Sequence, residues 1–254
     1  MSADNSLVTG RRRLLIRPGA IGDVILSLPA LEAACSTYTG AYTEVWAPRP
    51  MLPLIRFADR TRALADTGLD LVGVVEGARV PELDTFDSIY SWYGTRRPEF
   101  RDAVRHLPFT FFPALPPPAE GIPHIAIPEV APQNFAIIHP FASSPAKRWP
   151  LDNFREVAAR LDMPVAWCTG PEEPLEGAVK MDDLYQLACW ISTARVYIGN
   201  DSGIAHLAAA AGTPVVAIFL ASDPRVWAPR GARVVVLEHP SIDEVVASAR
   251  RILR

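Results

Sequence analysis

Apolar residues in this chain fall into short runs, and stretches with helical spacing lie between them. The first run is Arg13-Leu14-Leu15-Ile16, too short for a helix and bounded by a glycine-containing loop. Behind that loop Val24, Ile25, Leu28 and Leu31 recur at helical spacing, with alanine at 30, 33 and 34. Read this way, the first half predicts strands at 13–17, 43–47, 71–75, 87–91 and 109–112, with helices at 23–36, 50–58 and 98–106. Seven prolines then fall between Pro113 and Pro132. Proline has no amide hydrogen and breaks helix and sheet interiors, so this segment is expected to be an extended connector. The rhythm restarts with the strand Phe135-Ala136-Ile137-Ile138-His139. Helix 152–161, strand 164–168, helix 182–193, strand 195–199, helix 203–211, strand 214–219, strand 233–237 and helix 241–253 follow. Strands alternating with helices imply parallel sheets joined by right-handed crossovers. The expected fold class is therefore α/β, in two domains that face a cleft. Residues 1–132 form the first, with 113–132 as its linker, and 133–254 form the second.

Two strand-to-helix turns carry the candidate chemistry. In the second domain, Tyr197-Ile198 runs into Gly199-Asn200-Asp201-Ser202-Gly203, and a small-residue helix with His206 follows. Such a turn leaves backbone N–H groups free at the positive end of a helix, which suits an anion. Ser202, Gly203 and the amides after them would face phosphate oxygens, while Asp201 would suit a hydroxyl or the helix cap. The plainer reading is a capped helix with His206 holding the turn. The second turn is Arg17-Pro18-Gly19-Ala20-Ile21-Gly22-Asp23, after the first strand. Glycines there let the backbone approach a ligand closely. The spacing does not match G-x-G-x-x-G, so no dinucleotide fingerprint is present. Asp23 reads either as a helix cap or as a carboxylate at the carboxyl end of the first strand, where open α/β sheets bind ligands.

Bulk properties narrow the partners. The 254 residues carry a formal net charge of −3, with 49% hydrophobic residues. That content supports a substantial core, and the charge gives no basic field for nucleic acid. Arg11-Arg12-Arg13 is the one dense basic run, a solvated edge or a contact for anionic lipid. Cys35, Cys168 and Cys189 are odd in number and widely spaced, which fits reduced thiols in a cytoplasmic protein and no metal pattern. No apolar run approaches the ~18 residues of a membrane helix, and the N-terminus has no signal-peptide pattern.

Four segments, in order, resemble the glycosyltransferase family 9 enzymes, the ADP-heptose:lipopolysaccharide heptosyltransferases. They are Gly22-Asp23 with Leu28-Pro29-Ala30-Leu31; the run from His139 through Ser143, Ser144, Lys147 and Arg148 to Trp149-Pro150; Thr169-Gly170-Pro171-Glu172-Glu173; and Gly199-Asn200-Asp201-Ser202-Gly203 with His206. The resemblance implies a GT-B fold of two Rossmann-like domains, here with a shortened N-terminal domain. It implies a metal-independent, inverting transfer of heptose from ADP-heptose to a lipopolysaccharide or other cell-envelope glycan. No cofactor is implied. The place of work would be the cytoplasm, peripheral to the inner membrane.

By the same resemblance, Asp23 is the base that deprotonates the acceptor hydroxyl, and Lys147 faces the leaving diphosphate. Ser143 and Ser144 are hydroxyl donors to the nucleotide sugar. Glu172 or Glu173, preferentially Glu173, holds the adenosine ribose, with Met181 and Asp182 on the adenine side. Asp201, Ser202, Gly203 and His206 line the sugar and phosphate side. Arg17, Gly19 and Gly22 belong to the acceptor-side loop. Plainer readings stand beside these: Lys147-Arg148 as surface charge, Glu172-Glu173 as the start of a helix, and His139 as structural. Trp92 and Tyr93 could stack on an acceptor sugar or pair in the core. Asp23 and Lys147 occurring together favour catalysis over mere binding. The alternatives are a non-catalytic nucleotide-sugar-binding paralogue, and a nucleotide-sugar epimerase or hydrolase on the same scaffold.

Overall fold

The computed structural model describes residues 11–36, 40–114 and 121–254. Pro116, Pro117 and Pro118, three of the seven prolines of the expected connector, therefore lie outside the described residues. The chain divides into two compact units, Met1–Gly19 with Ala30–Leu115, and Ala20–Pro29 with Pro116–Arg254. The sequence reading put all of 1–132 in the first domain. Residues 20–29, which include Asp23, instead group with the second unit.

The first unit holds five strands, β1 (Arg12–Ile16), β2 (Tyr42–Ala47), β3 (Arg60–Ala63), β4 (Ser88–Ser91) and β5 (Phe109–Phe111), in the order β3-β2-β1-β4-β5. Every pairing is parallel. This is the Rossmann order, which reverses direction between β1 and β4. Helix α1 (Ile21–Ser36) follows β1, and α2 (Pro98–Ala103) precedes β5. The core gathers Leu14, Ile16, Trp46, Phe86, Ile89, Phe100 and Val104. Phe100 is completely buried, with the Tyr93, Phe109 and Phe111 rings edge-on at 5.2, 5.8 and 6.3 Å.

Two expectations fail here for identifiable reasons. The apolar run at 71–75 forms no strand. Gly68 and Gly73 take positive φ values of 70° and 76°, and the chain between them turns, leaving Val74 and Val75 exposed. A β-branched run is thus overruled by glycines that bend the backbone. Strand β3 was missed because Arg60-Thr61-Arg62-Ala63 is mostly polar. It lies at the sheet edge, where Arg60 pairs with Glu44 at 3.7 Å, and polar edge strands are usual. The segment expected as helix 50–58 is a 3-10 turn, Arg49–Leu54, that contains two prolines.

The second unit holds β6 (Gln133–His139), β7 (Val165–Trp167), β8 (Ala194–Asn200), β9 (Val215–Phe219) and β10 (Val234–Glu238), in the order β10-β9-β8-β6-β7. These too pair only in parallel. The connecting helices are α3 (Leu151–Arg160), α4 (Leu184–Ser192), α5 (Gly203–Ala210), α6 (Pro224–Trp227) and α7 (Ile242–Ile252). Alternate residues Ala136, Ile138, Val196, Ile198, Val216 and Ile218 face Phe154 and Val157 of α3 and Val245, Val246 and Ala249 of α7. Strands buried on both faces explain the continuous apolar runs of this half. Helix α7 begins with a full capping box between Ser241 and Glu244. Among the described residues no helix is long and apolar enough to cross a membrane.

The first unit's core yields a direct test. Phe100→Ala removes its central ring and should cost about 3–5 kcal/mol in chemical denaturation. A loss below about 1 kcal/mol would show that the ring cluster does not hold that unit together.

Candidate active site

In the second sheet the strand order reverses between β6 and β8. Parallel α/β sheets bind ligands at the carboxyl ends of the strands flanking such a reversal. His139 ends β6, Asn200 ends β8, and Asp201 and Ser202 lead into α5. The loops after β7 and β9 add Glu173 and Ser222 at the same edge.

Asp201 is 5% exposed, and a carboxylate that deep must be paired. Lys147 Nζ lies 2.7 Å from Asp201 Oδ2, and the Ser222 hydroxyl donates a hydrogen bond to the same oxygen. The Lys147 side chain as a whole stays 29% exposed. Asn200 fixes the loop that carries Lys147. Its side-chain N–H donates to the Pro140 carbonyl at 2.8 Å, and its amide oxygen accepts the Trp149 N–H at 3.0 Å. Sequence reasoning missed Asn200 and Ser222. The signal for Asn200 was its place in the Gly-Asn-Asp-Ser-Gly turn, since one amide can tie both a donor and an acceptor. Ser222 had no local signal.

Glu173 turns inward, while Glu172 is exposed. Its Oε2 accepts the Gly170 N–H at 2.6 Å and lies 3.0 Å from His139 Nε2. Burial alone would raise the Glu173 carboxyl, but the His139 and Gly170 hydrogen bonds outweigh it and hold it below its usual value. Neither glutamate starts a helix, because α4 begins at Leu184 with Asp183 as its cap. His139 is 3% exposed, and its Nδ1 lies 3.3 Å from Ser202 Oγ.

Asp23 occupies the first turn of α1, and its Oδ2 accepts the Ala20 N–H at 2.8 Å. That is one arm of a helix-capping interaction, so the plainer reading of Asp23 has a structural basis. The same turn packs on α5. A Cβ on Gly22 would come within 2.9 Å of the His206 ring, and one on Gly203 within 2.5 Å of Ile21 Cβ. Both glycines are required by close approach rather than by backbone angle. His206 is 4% exposed, and its Nδ1 has no hydrogen-bond partner among the described residues. Burial pushes its imidazole down to about 4, while Asp201 and Asp23 pull the other way and Lys147 and Arg230 add to the drop. Asp23, Lys147 and Asp201 therefore act on one buried, neutral ring.

The remaining candidates spread around this centre. Ser143 is exposed, and Ser144 opens the 3-10 turn Pro145–Lys147. Met181 is half-buried and Asp182 exposed, both just before α4. Arg17 lies in the first unit, 2% exposed, donating to the Pro18 carbonyl at 2.8 Å and the Ala114 carbonyl at 3.3 Å. Gly19 takes a φ of 120° after it. Trp92 stacks on Phe112 at 4.9 Å and Tyr93 meets Phe100, so both rings pair with protein neighbours. Among the described residues, no group of three or more His, Cys, Asp or Glu side chains is placed to hold a metal ion.

Residues 118–245 match the family model described as glycosyltransferase family 9 (heptosyltransferase). The chain belongs to glycosyltransferase family 9. No curated protein matches the sequence. Solved structures of the family share the fold at low identity. The glycosyl transferase family 9 protein from Veillonella parvula DSM 2008 is 17% identical, with a TM-score of 0.75 over 98% of this chain and 99% of that one. E. coli ADP-heptose LPS heptosyltransferase II is also 17% identical, with a TM-score of 0.71 over 95% of this chain and 98% of that one. E. coli heptosyltransferase WaaC, solved with ADP, is 15% identical, with a TM-score of 0.65 over 95% and 99%. The two parallel Rossmann-like sheets of this family 9 chain are thus those of a GT-B glycosyltransferase.

Two outcomes follow from the site's electrostatics. Lys147→Met leaves Asp201 with Ser222 as its remaining side-chain partner, and should cost about 1–3 kcal/mol of stability. Lys147→Arg should recover most of that loss in the same denaturation assay. His206 binds its proton far less readily when folded than the ordinary value of 6.5. Its contribution to stability is therefore full above pH 6.5 and declines as pH falls toward about 4. His206→Gln should flatten the stability–pH profile across that window, and an unchanged slope would show that another group titrates there.

Proposed function

We propose that this protein is a metal-independent, inverting glycosyltransferase. It transfers heptose from ADP-heptose to a lipopolysaccharide or other cell-envelope glycan. The observation that carries the reading is Lys147 held at 2.7 Å by the buried Asp201, beside the start of α5, whose cap residue Ser202 makes no side-chain cap. The ammonium of a partly exposed lysine and uncapped amides together offer positive charge for a diphosphate. The two E. coli relatives support the donor class, one named for ADP-heptose and the other solved with ADP.

In this reading the nucleotide sugar lies on the second unit, with Glu173 Oε1 toward the ribose and Met181 and Asp182 toward the base. Ser143 and Ser144 add hydroxyl donors. The first unit, with the loop of Arg17 and Gly19, recognises the acceptor, and the reaction takes place in the cytoplasm at the inner membrane face. The acceptor hydroxyl attacks the anomeric carbon as its proton passes to Asp23. The bond from that carbon to the β-phosphate oxygen breaks, and its electron pair leaves with ADP. Lys147 and the α5 amides meet the charge that develops, which is where such groups accelerate a reaction most. The grouping of Asp23 with the second unit supports its acting close to the donor.

Asp23→Asn tests the base against the cap. Asparagine keeps an oxygen for the Ala20 N–H and nearly the same volume, so stability should barely change. ADP should still bind, while transfer of heptose from ADP-heptose should fall about 10²–10⁴-fold. Near-wild-type turnover in a folded variant would return Asp23 to a capping role. Donor binding without turnover in the wild type, over a panel of lipopolysaccharide acceptors, would favour the binding paralogue.

A further inference from the structure

Beyond Ser222, the carboxyl ends of β9 and β10 enclose a cavity of about 500 Å³ that the proposed chemistry does not use. Leu220, Ser222, Asp223, Arg225, Glu238 and His239 line it. Ser222 joins the cavity to the charged centre, because its hydroxyl donates to Asp201. That hydrogen is spent, so Ser222 offers only lone pairs to anything else. Asp223 is committed as well, since its two oxygens accept the backbone and guanidinium N–H groups of Arg225. Glu238 is different. It is exposed and makes no hydrogen bond or ion pair among the described residues, although it is near enough to Arg225 to act on its charge. His239 follows with a φ of 47°, the one left-handed non-glycine backbone among the described residues, and its N–H is tied to the Phe219 carbonyl at 3.0 Å. Such a backbone persists only where its surroundings hold it, and it recurs at ligand clamps.

We infer that this cavity is the subsite for the exocyclic glycol of the donor heptose, and that Glu238 is the residue that selects a seven-carbon sugar. The inference rests on the donor site proposed above and adds the part that recognises the sugar. The order of the sheet supports it. Glu173 follows β7 and Ser202 follows β8, so ribose and diphosphate run along the sheet edge from β7 past β6 to β8. The next strands in that direction are β9 and β10. Neighbouring strands lie about 4.8 Å apart, which puts β10 about 10 Å beyond β8, the reach of a sugar ring with its side arm. The chemistry of the sugar agrees. A heptose in its pyranose form carries two hydroxyl-bearing carbons outside the ring, and a hexose carries one. The extra hydroxyl needs an acceptor, and the unpaired Glu238 carboxylate is a charged one, which makes the stronger hydrogen bond.

Titration calorimetry of the full chain, without acceptor, compares ADP, ADP-heptose and an ADP-hexose of the same ring configuration. Wild type should bind ADP-heptose about tenfold more tightly than the ADP-hexose, the worth of one hydrogen bond to a charged group. Glu238→Ala should bring that ratio to within about twofold of unity while ADP affinity stays at the wild-type value. Glu238→Gln keeps an acceptor oxygen without the charge, so its ratio should fall between the two. Glu156→Ala removes an exposed carboxylate on α3, outside the cavity, and should keep the wild-type ratio. Equal ratios in wild type and Glu238→Ala overturn the inference, as does a wild type with no preference. Equal losses of ADP and ADP-heptose affinity in Glu238→Ala, or a lowered ratio in Glu156→Ala, overturn it too. In each of these cases the wild type still binds ADP, so the donor site stands and only the sugar subsite is removed. A wild type that fails to bind ADP overturns the donor site and the subsite together.

Discussion

A carboxylate at the end of a buried parallel strand must find partners, and Asp201 sets the site by how it finds them. Its oxygen draws in Lys147 from the loop after β6 and Ser222 from the loop after β9. Those loops leave the sheet on either side of β8. One buried acid thus converts three separate strand ends into a single charged cluster. Leaving it unpaired would forfeit the hydrogen bonds that offset its desolvation. The Asn200 amide beside it does the same with neutral bonds, tying Pro140 and Trp149 to the β8 end.

The second constraint is contact distance. The first turn of α1 lies against α5 only because Gly22 and Gly203 have no side chains. That approach seals His206 from solvent and keeps it neutral, and it sets Asp23 in the same electrostatic neighbourhood as Lys147 and Asp201. The contact also explains why residues 20–29 group with the second unit although β1 belongs to the first. A helix can be shared between two compact units when its two ends pack on different partners.

Much of this was legible in the chain. The βα alternation, the parallel sheets and the strand-to-helix turns at Asp23 and Asp201 follow from hydrophobic period and glycine placement. Those are local properties of consecutive residues. The errors were local signals overruled by context. The apolar 71–75 was bent by glycines, and the polar β3 was held at an edge by hydrogen bonds to β2. The resemblance names Lys147, Glu173, Asp201 and His206 as a set; in the structure Lys147 meets Asp201, Glu173 meets His139, and His206 lies within α5.

What the sequence determined by itself was which residue types sit at the carboxyl ends of the strands. Those positions are fixed by where each apolar run stops. Only the tertiary structure decided who pairs with whom. Ser222 acquires a role from Asp201, 21 residues away, and His139 becomes a link between Glu173 and Ser202, 34 and 63 residues along the chain. Such partnerships depend on the order in which strands lie side by side. That order comes from the handed crossovers and from burial of whole helix faces, and no stretch of neighbouring residues encodes it.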